Sequence, residues 1–361
     1  MEGNNKLMFP GKIAVVTSDT LTNEEDFNSV GPVIAKYGAD KIIHLSWSSN
    51  FQTQQDEMIK TLAELAADRE LKALVLNQAL LGSNAAVDKF KETRDDVFIV
   101  YRSSQDPTPE AAARASLIFD CNSLGMGYAM VKQAKKQGAK AFVHYSFPRH
   151  MSQPFLIRRR DLIRDTCVAE GIRYTDATAL DFKGEAGIDA AWQFILDDVP
   201  KMVAKYGEDT AFFCTNCNLQ VPLIKAVVDC HAIFPQPCCP SPFHGFPEAL
   251  GIKMNDGPPD LAYVISEASR IAEERNMTDR LSTWPVSVSA MVTNAGVEYA
   301  IKWINDEVMK TGINDDVLLD CMSTYIEEVV GEASNVYLTS YSEGGLTYDN
   351  FKLILMGYLD F

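Results

Sequence analysis

The sequence predicts an α/β protein of two Rossmann-like lobes with parallel sheets, hinged to one another. Three observations carry this. Short apolar, β-branched runs alternate with helical segments from residue 11 onward, the layout of βαβ units around a parallel sheet. The same alternation begins again after residue 121. A chain of 361 residues also suits two domains of ordinary size, each burying its own core.

In order, Lys12 to Thr17 (KIAVVT) reads as the first buried strand, with Ser18 and Asp19 at its end. A helix from about Glu24 to Tyr37 stops at Gly38, and Lys41 to Trp47 is the second strand. The amphipathic segment Gln54 to Ala67 precedes a strand at Ala73 to Leu76, which ends in Asn77 and Gln78. A helix over Gly82 to Thr93 and a strand over Val97 to Tyr101 follow, then Arg102, Ser103 and Ser104.

The centre of the chain is the stretch from Leu117 to Met151. An apolar run ends in Asp120 and Asn122; Gly125 and Gly127 open a helix that Gly138 stops; Ala141 to Val143 begins a buried strand. That strand is expected to give way to a polar, aromatic loop from His144 to His150. Open α/β sheets hold ligands at the carboxyl ends of their strands, so this loop is the first place to look for a site. The pattern Asp120, Asn122, Gly125, Gly127, Ala129, Gly138 and the strand from Ala141 resembles the crossover of type I periplasmic binding proteins and of the ligand-sensing cores of related repressors. Here Cys121 separates the acid from the amide, a departure from the usual pair. With TNCNLQVPLIK and CCPSPFHG further on, the chain also resembles an uncharacterised bacterial family of substrate-binding lipoproteins. The resemblance implies a two-lobed fold that closes by hinge motion on a small ligand held in the cleft.

Past that stretch, a helix carries Arg158, Arg159, Arg160 and Arg164, and Ile172 to Tyr174 starts a strand. Ala186 to Tyr206 is helical, with Pro200 expected to kink or split it. Ala211 to Cys214 is a strand, followed by Thr215 and Asn216 and a helix to Val228; residues 256–259 read as a turn and Leu261 to Arg275 as a helix. Leu281 to Pro285 looks like a return to the first lobe, a helix spans about Ser287 to Val308, and Phe351 to Leu359 suits a closing strand. The expected division is therefore 11–121 plus 281–310 for the first lobe, and 122–280 plus 336–361 for the second.

Composition narrows the function. The net charge of −16 argues against direct nucleic-acid binding, which needs clustered cations. No apolar run is long enough to span a membrane. The first residues, MEGNNKLMFPGK, lack a basic and an apolar export region, which reads as cytoplasmic, or as an extracytoplasmic lipoprotein whose signal has been removed. There is no G-x-S-x-G, phosphate-loop or H-E-x-x-H motif, so no enzyme is expected and no cofactor. Asp19, Asp120 and Asp176 leave a paired-carboxylate hydrolase as a remote option.

Cys214 and Cys217 have the spacing of half a zinc site, with Cys230, His231, Cys238, Cys239 and His244 following. A second C-x-x-C or an H-x-x-x-H is missing, so reduced, metal-free thiols are the expectation, and a zinc protein or enzyme centred on Cys214 and Cys217 the alternative.

The expected ligand is a hydroxylated or carboxylated organic molecule. Its expected contacts are Ser18, Asp19, Asn77, Gln78, Arg102, Ser103, Asp120 and Asn122 in the first half. In the second half they are Tyr145, Ser146, Phe147, Arg149, His150, Arg158, Asn216 and Phe243. Arg149 is expected to be the main anchor, its guanidinium fork presented by a loop that Pro148 stiffens. The opposing expectation is that Phe147 packs inward while Arg149 pairs with a surface acid. The partner would be a membrane permease if the protein serves transport, or a regulatory protein if it is a sensor core without its own DNA-binding domain.

Overall fold

The computed structural model describes residues 8–47, 55–254 and 260–361. The strands are β1 Lys12–Ser18, β2 Ile42–Trp47, β3 Leu71–Leu76, β4 Phe98–Arg102, β5 Leu117–Cys121 and β6 Ala141–Ser146. After them come β7 Arg173–Thr178, β8 Thr210–Cys214, β9 Ser282–Thr283, β10 Val336–Glu343, β11 Leu346–Met356 and β12 Leu359–Asp360. The α-helices are α1 Glu24–Asn28, α2 Gly31–Tyr37, α3 Gln55–Leu65, α4 Ser83–Lys91, α5 Thr108–Ala112, α6 Ser123–Lys136 and α7 Pro154–Ala169. They continue with α8 Gly187–Tyr206, α9 Gln220–Asp229, α10 Phe246–Leu250, α11 Leu261–Glu274, α12 Val288–Ile304 and α13 Asp315–Val330. Two compact units result: Met1–Cys121 with Val288–Leu355, and Asn122–Ser287 with Met356–Phe361.

The first unit holds a sheet in the order β10-β11-β5-β4-β3-β1-β2. Its pairs from β11 to β2 are parallel. β1 and β3 are buried at almost every position because both faces of a parallel sheet are covered. One face packs Val16, Leu74, Leu76, Ile99, Tyr101 and Ile118 against Leu62, Val87 and Phe90 of the helices. On the other face, α12 comes close enough that a Cβ on Gly296 would stand 3.6 Å from the Phe119 ring.

The second unit has the sheet β7-β6-β8, parallel throughout. Single bridges extend it through Ile233 and Phe234 to Leu281. β9 pairs antiparallel with β12. Gly127 earns its place in α6, because a Cβ there would meet Arg159 Cγ at 3.2 Å and the Arg159 carbonyl at 3.3 Å on α7.

Several expectations need correction. Residues 336–355 belong to the first unit, not the second: β11 pairs with β5, Phe351 beside Ile118, and so covers an apolar strand that would otherwise be an edge. Residues 281–287 stay with the second unit, where Leu281 is fully buried in its core and Ser282 pairs across to Asp360. The helix expected over 24–37 is two helices, with Pro32 in the first turn of α2 marking the restart. α8 runs through Pro200 as one element. The turn expected at residues 256–259 lies outside the described residues.

Candidate functional site

The strand order puts a topological switch point between β1 and β3, the place where chain connections leave to opposite sides and a crevice opens at the carboxyl ends. Ser18 ends β1, Asn77 and Gln78 follow β3, Arg102 ends β4, and Asp120 lies near the end of β5. Ser18 Oγ donates to Gln78 Oε1 at 2.9 Å across the switch point. Ser103 Oγ donates to Asp120 Oδ1 at 3.2 Å, and the Cys121 N–H donates to the same oxygen at 2.7 Å. Burial pushes the Asp120 carboxyl above its usual range, while those two donors pull it back. Gln78 and Ser103 both hold positive φ, 126° and 46°. Such backbone strain in non-glycine residues collects at functional sites.

Behind this rim lies a polar network that sequence reasoning missed. Asp26 of α1 is fully buried and accepts the Ser18 N–H at 2.8 Å and Ser289 Oγ–H at 2.5 Å. Arg102 Nη2 stands 3.4 Å from Asp26 Oδ1, and its Nε donates to Asn77 Oδ1. Asn77 Nδ2 in turn reaches Thr293 Oγ1 at 2.5 Å and the Ser289 carbonyl at 3.1 Å. Asn77, expected to touch ligand, is therefore consumed inside the first unit with no exposed surface. Arg102 is held in place by two neighbours and keeps Nη1 unengaged among the described residues. Asp19 serves the following turn, accepting the Thr22 N–H at 2.9 Å.

In the second unit, β6 continues through His144, Tyr145 and Ser146, all buried, so the expected loop begins three residues later. A buried amphipathic residue can extend the strand where its polar end finds a partner, as the Tyr145 hydroxyl does. Tyr145 stacks on Phe212 and donates its hydroxyl to Asp198 at 2.8 Å. His144 Nδ1 lies 3.2 Å from Asp176, and burial lowers its pKa. Within the second unit Asp176 is engaged by His144 and by the Tyr174 hydroxyl, which donates to it at 2.6 Å. Phe147 is 1% exposed and cannot offer a face to ligand.

Arg149 is committed to a bidentate pair with Asp181, 2.7 and 2.8 Å, and lies over the Phe147 and Phe182 rings. The expectation of a ligand anchor at Arg149 gives way to a surface pair that holds the Asp181 carboxyl down at about 2. His150 Nδ1 sits 2.9 Å from Thr215 Oγ1, tying the loops after β6 and β8 together. Asn122 and Asn216 act as caps, accepting N–H groups of Gly125 and Asn218. Phe243 packs, half-buried, against the second unit's core, and Arg158 points outward from α7 while Arg159 is the buried member of the run.

The cysteines are rearranged relative to expectation. Cys214 is fully buried in the core, because a residue ending β8 alternates inward. Cys217, in a 3-10 turn over Cys217–Leu219, faces Cys238 at 3.3 Å and Cys239 at 3.8 Å. Thiol contacts from both neighbours push the Cys217 sulfur well below the ordinary range and raise Cys238. A groove among α2, α12 and α13 is lined by Lys36, Glu298, Lys302 and Tyr325, and none of the expected contacts lines it. Among the described residues no helix is long and apolar enough to cross a membrane.

Comparison with known proteins fits this architecture. The structure resembles that of a candidate transcriptional regulator from Clostridium difficile 630, with a TM-score of 0.87 and 22% identity over 98% of this chain and all of that one. It also resembles a sugar transport substrate-binding protein from Bordetella parapertussis 12822, TM-score 0.51 and 11% identity, covering 97% of this chain and 89% of that one. These likenesses establish the type I periplasmic-binding-protein fold. An uncharacterised protein of Treponema pallidum (strain Nichols) is 34% identical over 164 residues, 45% of this chain and 76% of its own length. A family model described as a protein of unknown function (DUF3798) matches residues 11–282.

Proposed function

We propose, for a chain that belongs to the DUF3798 family, that it is a solute-binding protein for a small hydroxyl-rich or carboxylated molecule. The observation that carries this is the rim at the β1–β3 switch point. There Ser18, Gln78, Arg102 and Ser103 converge, and two strained backbone positions flank the one held guanidinium. A guanidinium fixed from behind by Asp26 and Asn77 loses little freedom on meeting a carboxylate or a diol. No catalytic step is required. The sugar transport role of the Bordetella parapertussis protein, which shares this fold, supports a sugar-like ligand.

A second reading, the ligand-sensing core of a regulator, is favoured by the whole-length likeness to the Clostridium difficile protein. Both readings use the same site and differ in partner: a membrane permease for transport, a DNA-binding protein for sensing. Ligand-dependent capture of one or the other separates them.

The site itself is tested by native mass spectrometry of the purified chain for a co-purifying molecule, then calorimetric titration of monosaccharides and dicarboxylates. Arg102→Lys keeps the charge and loses the fork, so affinity should fall about ten- to a hundredfold, the worth of one charge-assisted bond. Arg149→Ala, whose fork already serves Asp181, should stay within about twofold of the parent. Equal affinity in Arg102→Lys, or a large loss in Arg149→Ala, would move the site away from this rim.

A further inference from the structure

Four soft ligands converge just beyond the carboxyl end of β8. Cys217, Cys238, Cys239 and His244 each bring a ligand atom to within 4.8 Å of all the others. The three sulfur separations are 3.3, 3.8 and 4.0 Å. Thiolates bound to one zinc at about 2.3 Å in a tetrahedron stand about 3.8 Å apart, so the spacing is that of a shared ion. From this geometry we infer that the second unit carries a tetrahedral zinc site with a Cys3His ligand set. The inference is independent of the ligand reading for the first unit.

Packing alone does not explain the cluster. Cysteine behaves as a small apolar residue and gains by burial, yet Cys217 and Cys239 are exposed. Thiols are weak donors and weak acceptors, so three of them and an imidazole offer one another little. Cys238 and Cys239 sit together at a bend, and there both turn toward Cys217, 21 and 22 residues earlier.

The local sequence builds this convergence. Asn216 caps the 3-10 turn that presents Cys217. The segment bearing the other ligands is stiffened by Pro235, Pro237, Pro240 and Pro242, so little freedom is lost when an ion binds. Gly245, at φ 85°, lets that segment approach α9 closely: a Cβ there would meet Gln220 Cβ and Ile224 Cδ1, both at 3.1 Å. His244 is thereby seated beside the thiols. Sulfur-rich sets select zinc, cuprous copper or iron–sulfur clusters, and Cys3His with all four positions filled by protein is a structural zinc set. Its effect would be to fasten the turn after β8 to the proline-rich segment. Cys214 and Cys230 take no part.

The test uses the full chain, purified reduced from zinc-replete culture and assayed for metals by mass spectrometry. The expected result is about one zinc per chain, with melting temperature lowered by about 5 °C or more on chelation. Replacing zinc by cobalt should give the visible bands of tetrahedral coordination and a thiolate charge-transfer band scaled to three sulfurs. Cys239→Ser and His244→Ala, both at accessible positions, should lose most of the zinc, while Cys230→Ser keeps it. Four outcomes would overturn the site: no zinc and no cobalt spectrum from the reduced chain, copper or iron in its place, zinc retained in both ligand variants, or a Cys217–Cys238 disulfide in metal-free native protein. The cobalt spectrum of the parent counts sulfurs even if a variant folds poorly.

Discussion

Asp26 offers the sharpest test of how the first unit's rim is held. Its carboxylate has no exposed surface and receives Ser18 N–H, Ser289 O–H and, at 3.4 Å, Arg102. Asp26→Ala leaves a donor on β1, a hydroxyl on α12 and a largely buried guanidinium without their acceptor. Removing one partner of a buried ion pair typically costs about 3–5 kcal/mol, because the remaining charge is stranded. Arg102→Met should cost less, since Asp26 keeps its other two donors. The double variant should then be less destabilised than the sum of the singles by about 1–3 kcal/mol, as groups of one network are not additive. A chain of two units need not unfold in one step, so the readout is hydrogen exchange in peptides covering β1 and β3, with β6 peptides as internal reference. A loss under about 1 kcal/mol in Asp26→Ala, or strict additivity in the double variant, would refute the view that this network is what fixes Arg102.

Two further effects follow from the second unit. Gly127→Ala forces α6 and α7 apart by a few tenths of an ångström against the Arg159 backbone; a cost of about 1–3 kcal/mol is expected from urea unfolding, and a neutral variant would show the helices free to shift. His144 is held neutral because burial lowers its pKa from 6.5, with Asp176 opposing and Arg159 and Arg160 reinforcing that shift. The unfolded chain takes up the proton first, so stability is whole above about pH 6.5 and falls as pH drops from there toward the lower folded value. His144→Asn should flatten the fall in urea midpoint between about pH 7 and 5.5, and an unchanged slope would assign it to His44 or His150, which are shifted the same way.

What the sequence disclosed and what it concealed divide along a physical line. The runs IAVV, LVL and FIV are apolar at consecutive positions because both sheet faces are covered, and that signal is local, so the parallel α/β layout was readable. The carboxyl-end rule points first to the loop after β6, and to Gln78, Arg102 and Ser103 only as secondary contacts. The choice among partners is not local. Arg102 and Arg149 both follow apolar strands, and nothing near Arg149 in sequence reveals that Asp181, 32 residues on, occupies its fork. The C-x-x-C spacing drew the eye to Cys214 as Cys217's mate, but one lies at the inward position of a strand and the other in the turn beyond it. The same holds for β11: its apolar positions announce a strand, while the neighbour it covers depends on which sheet is left with an open edge, here β5. Alternation and strand-end chemistry are written residue by residue; pairings that close over 20 or more residues depend on the assembled fold, and both the Arg102 network and the Cys217 cluster are of that second kind.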